Sequence, residues 1–294
     1  MKIGFVGLGA MGAPMAARLV AAGHEVAGFD MRREAVEALV KAGGRAAASA
    51  AEAAEGAELL WLMVVTGEQA REVLFAQGAA AALPRGAIVA LGCTQAPALA
   101  QATAGELEAL GLAMLDAPVS GGAKRAAEGA LTIMASAPEA VFARAKPVME
   151  AMGQRVFDCG RTIGLGSTAK MVNQLLCGVH IAAAAEALHL AERAGMDPAR
   201  MLEVIGVSAG NSWMFGDRGP RMLQADPGVT SAVDIFVKDL GIVLGEGRTL
   251  KAGLPLSAAA MQMFLAASGL GHGAADDSQV IRAYRALNGA GAKR

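Results

Sequence analysis

Three short segments hold residues whose types and spacing could do chemistry. The string GLGAMG at residues 7–12 (Gly7, Leu8, Gly9, Ala10, Met11, Gly12) has G-x-G-x-x-G spacing. A strand-like run at 2–6 precedes it and a helical pattern at 13–22 follows, so backbone amides and the positive end of a helix meet where a pyrophosphate can lie. Gly7 makes the tight turn, Gly9 admits the phosphates, and Gly12 lets the helix pack on the sheet. A purely structural turn is the alternative in a chain with 38 glycines. Asp30 lies at about the 20-residue spacing expected of an acid that accepts the ribose hydroxyls and repels a 2′-phosphate, which points to NAD rather than NADP. Arg32 and Arg33 either stand solvated at a helix start or turn inward to bind such a phosphate.

The second segment, DAPVSGGAKRAAEGAL, follows an apolar run. Ser120 offers a hydroxyl, and Gly121 and Gly122 leave amides for an anion such as a carboxylate; a glycine turn without function is the alternative. Lys124 and Arg125 either add charge there or stay solvated. The third segment is GLGSTAKMVNQ at 164–174. If Ser167 caps the helix, Lys170 falls at the third position, where a cation meets the unfavourable end of the dipole. That field, with burial, would bring the amine toward the working range of a general base. Asn173, three residues on, shares the helix face and could hold the lysine or a substrate. A surface lysine beside a core asparagine is the competing account.

These segments need a scaffold. Strand patterns at 2–7, 25–30, 59–65, 87–92 and 113–119 alternate with helical ones, which predicts a doubly wound parallel sheet covered on both faces, with Leu131–Ser136 and residues 155–159 extending it. Ser49 and Glu52 suggest a capping box, and Gly23 a left-handed helix end. After Gly164 and Gly166 strand patterns stop. The expected division is an NAD-binding domain over 1–163 and an all-helical domain over 164–294, with helices at 167–194, after Asp197-Pro198, and at 231–250, 257–267 and 276–287. The first of these, about 42 Å long at 1.5 Å per residue, could run along a seam between the domains, where the active site is expected. Trp213 and Phe215 stand in an irregular stretch and either wall a pocket or pack between helices.

Bulk properties exclude other classes. With 26 basic and 27 acidic residues the net charge is −1, so no block of one sign suits nucleic acid or an anionic bilayer. No apolar stretch reaches the ~20 residues of a membrane span. The N-terminus lacks a signal-peptide pattern, and three scattered cysteines, Cys93, Cys159 and Cys177, fit a reducing compartment, so a cytoplasmic location is expected. His24, His180 and His189 lack partners at ligand spacing, and no metal is expected.

The chain resembles the β-hydroxyacid dehydrogenase family over nearly its whole length, through GLGAMGAPMAARL, DAPVSGG, GLGSTAKMVNQ and FVKDLGIVL in that order. The resemblance implies a Rossmann domain followed by an all-α domain, and NAD-dependent oxidation of a hydroxyl on a small hydroxy-carboxylate. It further implies Lys170 as catalytic residue, substrate contacts from Ser120, Gly121, Gly122 and Asn173, cofactor contacts from Val64 and Val65, Thr94 and Lys238 near the nicotinamide, and a homo-oligomer. Val64-Val65 stands where many members have leucine-proline, Cys93-Thr94 where they have serine-threonine, and Gln174 where a second asparagine is common. The stretches SGGAKRAAEGALTIMAS, SAGNSWMF and VDIFVKDLGIVL look most like the branch acting on L-threonate; 3-hydroxyisobutyrate, tartronate semialdehyde or glycerate, and an inactive cofactor-binding regulator, are the alternatives.

Overall fold

The computed structural model describes residues 1–287. The chain forms two compact units, Met1–Lys170 and a second from Met171 onward. In the first, strands β1 (Lys2–Val6), β2 (Glu25–Phe29), β3 (Arg45–Ala46), β4 (Leu59–Leu62), β5 (Ile88–Leu91), β6 (Ala113–Asp116), β7 (Val119–Ser120), β8 (Leu131–Ser136) and β9 (Gly153–Gly160) make one sheet. Strands β3-β2-β1-β4-β5-β6 run parallel in that order, which puts a topological switch point between β1 and β4.

Helices α1 (Gly12–Ala21), α2 (Arg33–Lys41), α3 (Ala50–Ala54), α4 (Gly67–Arg71), α5 (Ala79–Ala82), α6 (Pro97–Ala109), α7 (Gly122–Glu128) and α8 (Glu139–Met152) connect the strands. The central strands β4 (LLWL) and β5 (IVAL) are buried throughout, as strands covered on both faces must be. Alternation assigns their side chains. Leu59, Trp61, Ile88 and Ala90 pack with Met15, Leu19 and Phe142 on one face, while Leu60, Leu62, Val89 and Leu91 pack with Ala53, Leu74, Ala100 and Leu107 on the other.

Several local expectations change. The run 113–119 is not one strand: Pro118 has no N–H to donate, and the chain leaves β5 there and returns as β7, antiparallel to β8. The sheet therefore ends in antiparallel β6–β8 and β7–β8 pairs before the parallel β8–β9 pair. Ser49 Oγ accepts the Glu52 N–H, but the Glu52 carboxylate reaches back to the Ala48 amide rather than to Ser49. A complete capping box instead joins Thr66 and Gln69 at the start of α4. Gly23 does close α1 with positive φ, and the His24 amide donates to the Leu19 carbonyl.

The second unit continues the long helix α9 (Leu165–Arg193) and adds α10 (Pro198–Gly206), α11 (Trp213–Met222), α12 (Val233–Thr249), α13 (Pro255–Ala267), a 3-10 turn at Asp277–Val280 and α14 (Ile281–Leu287). The stretch around Trp213 is thus helical: the Ser212 hydroxyl caps it, Phe215 is buried, and Trp213 is exposed. The expected helix at 276–287 is split by the 3-10 turn, whose cap is the Asp276 carboxylate. By length and composition α9 could cross a bilayer, contrary to the expectation from apolar runs, but Ile181, Ala184, Ala185 and Leu188 spend its apolar face on the core of this unit.

Candidate active site

The loop after β1 lies beside the end of β4. A Cβ on Gly12 would sit 1.8 Å from the Gly7 carbonyl oxygen, and one on Gly7 2.4 Å from that of Met63. At Gly9 the nearest atom to an added Cβ is Arg32 Nη2 at 3.7 Å. Tight packing at Gly7 and Gly12, with a free side at Gly9, is the cradle a pyrophosphate needs, so these residues fit NAD. Leu8 contributes differently from its neighbours: its side chain is buried in the core, and its amide donates to Asp30 Oδ2 at 2.7 Å. Ala10 is exposed and Met11 half-buried.

Asp30 Oδ1 accepts the Arg32 amide at 2.8 Å and Arg32 Nε at 3.2 Å. Burial pushes this carboxyl up, but the Arg32 guanidinium and the Arg32 and Leu8 amides outweigh it and hold the group below the usual carboxylate range. Arg33 is solvated and pairs with Glu37. Arg32 is not merely solvated, since its Nη2 also donates to the Leu8 carbonyl at 3.1 Å, and it offsets part of the charge with which Asp30 would repel a 2′-phosphate.

Around Lys170 the structure revises the local geometry. Helix α9 starts at Leu165, so Ser167 is inside its first turn and Lys170 is its sixth residue. The dipole's influence fades after the first turn, so it bears less on Lys170 than at the third position. The cap comes from the sheet instead. Asp116, at the end of β6, accepts the Gly164 and Ser167 amides on Oδ2 at 3.1 and 2.7 Å and the Ser167 hydroxyl on Oδ1 at 2.7 Å. Its register partner Ser136 on β8 accepts the Gly166 amide at 2.9 Å and donates to Asp116 Oδ2 at 3.3 Å. Burial pushes the Asp116 carboxyl up against the pull of these hydrogen bonds. Lys170 itself is only 7% exposed.

From Asp116 the chain runs through Pro118 to Ser120, which is half-buried. Gly121 and Gly122 follow with φ of +134° and +72°, values a residue with a Cβ adopts only with strain. A Cβ on Gly122 would meet nothing within 4 Å, which leaves its backbone open to a ligand. Lys124 and Arg125 are exposed. At the other strand ends, Thr94 is half-buried. Val64 is half-buried and Val65 exposed, in a loop fixed by the Val65 amide donating to Gln69 Oε1 at 3.0 Å.

In the second unit Asn173 Nδ2 donates to Gln174 Oε1 at 3.0 Å, and Gln174 Nε2 to Asp239 Oδ2 on α12 at 2.5 Å. Lys238 Nζ lies 2.6 Å from Asp239 Oδ1. Gln174, a departure from the usual pair, is thus the link that ties Asn173 to a buried acid. Among the described residues no group of three or more His, Cys, Asp or Glu could hold a metal.

Sequence reasoning overlooks Asp116, Ser136 and Asp239. The available signal was an acid ending the apolar strand AMLD, since a buried carboxylate needs partners to offset its lost hydration.

Comparison with known proteins agrees with the geometry. Residues 2–160 match the family described as the NAD binding domain of 6-phosphogluconate dehydrogenase, and 164–284 that described as NAD-binding of NADP-dependent 3-hydroxyisobutyrate dehydrogenase. An L-threonate dehydrogenase of Cupriavidus necator is 49% identical, with 96% of each chain covered. A 3-hydroxyisobutyrate dehydrogenase of Pseudomonas aeruginosa is 37% identical, with 96% of this chain and 98% of the relative covered. The crystal structure of a 3-hydroxyisobutyrate dehydrogenase from Salmonella typhimurium superposes with a TM-score of 0.90 at 47% identity, covering 95% of this chain and 98% of that one. With the phosphate cradle, the glycine loop after β6 and the buried lysine on α9, these matches show that the chain belongs to the β-hydroxyacid dehydrogenase family and is an NAD-binding oxidoreductase acting on CH–OH donors.

Proposed function

We propose that this enzyme oxidises the hydroxyl of L-threonate, with Lys170 taking the hydroxyl proton and returning it in the reverse reaction. The observation carrying this reading is Lys170 itself: a lysine almost removed from solvent, on a helix whose first turn is held by the strand that leads into Ser120. Lysines are mostly exposed, so a buried one at this place is uncommon. Bound NAD+ supplies the acceptor for the hydride leaving the carbinol carbon. Gly7–Gly12 residues hold its pyrophosphate, Asp30 its ribose, Val64 and Val65 touch the cofactor, and Thr94 lies near the nicotinamide. Ser120 and the Gly121 and Gly122 amides bind the substrate carboxylate. Asn173 and Lys238 keep the substrate and cofactor roles the family likeness gives them, each to be read from the KM values of its alanine variant. The relatives named L-threonate dehydrogenase favour that acid over 3-hydroxyisobutyrate, tartronate semialdehyde or glycerate. The homo-oligomer implied by the family, and the cytoplasmic location, belong to the same reading; a sedimentation mass of one chain would remove the former.

Because the donors on the loop after β6 are matched to an anion, the methyl ester of L-threonate should turn over at least about tenfold less efficiently than the free acid, the ~1.4 kcal/mol expected from one lost charge-assisted hydrogen bond. Equal kcat/KM for acid and ester would remove the carboxylate site. Asp30 should make NAD the better cofactor by about 1–3 kcal/mol, with Arg32→Ala widening the gap because it uncovers the carboxylate charge. NAD binding should hold through the neutral range and weaken only as pH falls through the lowered Asp30 pKa, where the carboxylate gains its proton. Equal efficiency with NADP in wild type and variant would contradict this.

A further inference from the structure

A helix that could be capped by its own Ser167 is instead capped by an acid on a strand 48 to 51 residues earlier. A self-cap is cheaper, since a buried carboxylate must recover its lost hydration from hydrogen bonds. Here both Asp116 oxygens are used by four donors: the Gly164 and Ser167 amides and the Ser167 and Ser136 hydroxyls. The helix also lands directly on the sheet. A Cβ on Gly166 would lie 2.5 Å from the Met134 carbonyl oxygen and 2.7 Å from that of Asp116. The opening amides of α9 are all accounted for: Leu165 donates to Thr162 O, Gly166 to Ser136 Oγ, Ser167 to Asp116 and Thr168 to Gly164 O. Two of these four amides, those of Gly166 and Ser167, are therefore held by β8 and β6 rather than by the turn's own sequence. Lys170 lies one turn beyond it, and Ser120 lies four residues along the chain from Asp116.

We propose that Asp116 is a positioning residue for the reaction: its carboxylate sets the first turn of α9, and with it Lys170, in one place relative to the Ser120–Gly122 segment that follows Asp116 in the chain. This rests on the reading of Lys170 as the proton-transferring group. Asp116 touches no reacting atom; it acts through Lys170, so its contribution disappears once Lys170 is gone.

The test is a double-mutant cycle on the full-length enzyme. Asp116→Asn keeps the shape but removes the charge: its carbonyl oxygen, at the Oδ2 position, still meets the Gly164 and Ser167 amides, while its NH2 replaces the acceptor of the Ser167 hydroxyl. It should lower kcat roughly 10–100-fold, as displacement by about 1 Å can, when rates are counted per NAD-binding site and the NAD+ Kd stays within about twofold. In the Lys170→Ala background the same change should cost under about threefold. Ser167→Ala, which keeps both amide bonds to Asp116, should give a smaller loss with the same dependence on Lys170, and it carries the cycle if Asp116→Asn does not fold. A kcat for Asp116→Asn within about threefold of wild type, or its full loss repeated without Lys170, overturns the proposal. For Ser167→Ala, no loss or a fully additive one does the same. Wild-type turnover by Lys170→Ala alone would instead sink the lysine assignment, a result distinguishable from either.

Discussion

Lys170→Ala should lose about 10²–10⁴-fold in turnover, the usual contribution of general acid–base catalysis, while NAD+ affinity stays near wild type. The separation follows from position. The groups assigned to the pyrophosphate and ribose are the residue 7–12 loop and Asp30, held together by the Leu8 and Arg32 hydrogen bonds, and none of these involves α9. Lys170→Arg should not restore the rate, because a guanidinium stays protonated and cannot accept the hydroxyl proton. An alanine variant within a few-fold of wild type would make the assignment wrong.

Gly12→Ala should weaken NAD+ binding by at least about 100-fold, roughly 2.8 kcal/mol. The added methyl would sit 1.8 Å from the Gly7 carbonyl oxygen, with Phe5 at 3.1 Å behind it. Backbone cannot yield as a flexible side chain can, so α1 must move off β1 and the turn at Gly7 must open. Gly9→Ala is the contrast: its Cβ meets only Arg32 Nη2 at 3.7 Å, so the apo fold should tolerate it and the loss should appear on cofactor binding. Calorimetric titration with NAD+ should show a loss for both, and thermal unfolding of the apo-enzyme separates them, since only Gly12→Ala should lower its Tm; an unchanged Kd for Gly12→Ala would contradict the account of the loop.

The parts of this molecule legible in its sequence are those set by local pattern. Strands β1, β4 and β5 announce themselves because burial on both faces demands unbroken apolar runs, and the glycine spacing at residues 7–12 shows in the string itself. What local pattern misjudges is whatever depends on distant partners. The first turn of α9 reads as self-capped by Ser167, since nothing nearby shows that Asp116 will take both its amide and its hydroxyl. The position of Lys170 in its helix shifts with that one contact. Likewise, α11 reads as irregular because Gly216, Gly219 and Pro220 oppose a helix, yet the Ser212 cap and burial of Met214, Phe215 and Met222 override propensity. Arg32 could be read as solvated because its second partner, the Leu8 carbonyl, lies 24 residues away.

The most direct test of the central claim is NADH formation by the wild-type enzyme with L-threonate, 3-hydroxyisobutyrate and glycerate, each at saturating NAD+. NADH should form with hydroxy-carboxylates, with kcat/KM for L-threonate exceeding the other two by at least about tenfold, the scale of a few pocket contacts. Absence of NADH above the substrate-free rate with all three acids would contradict the account.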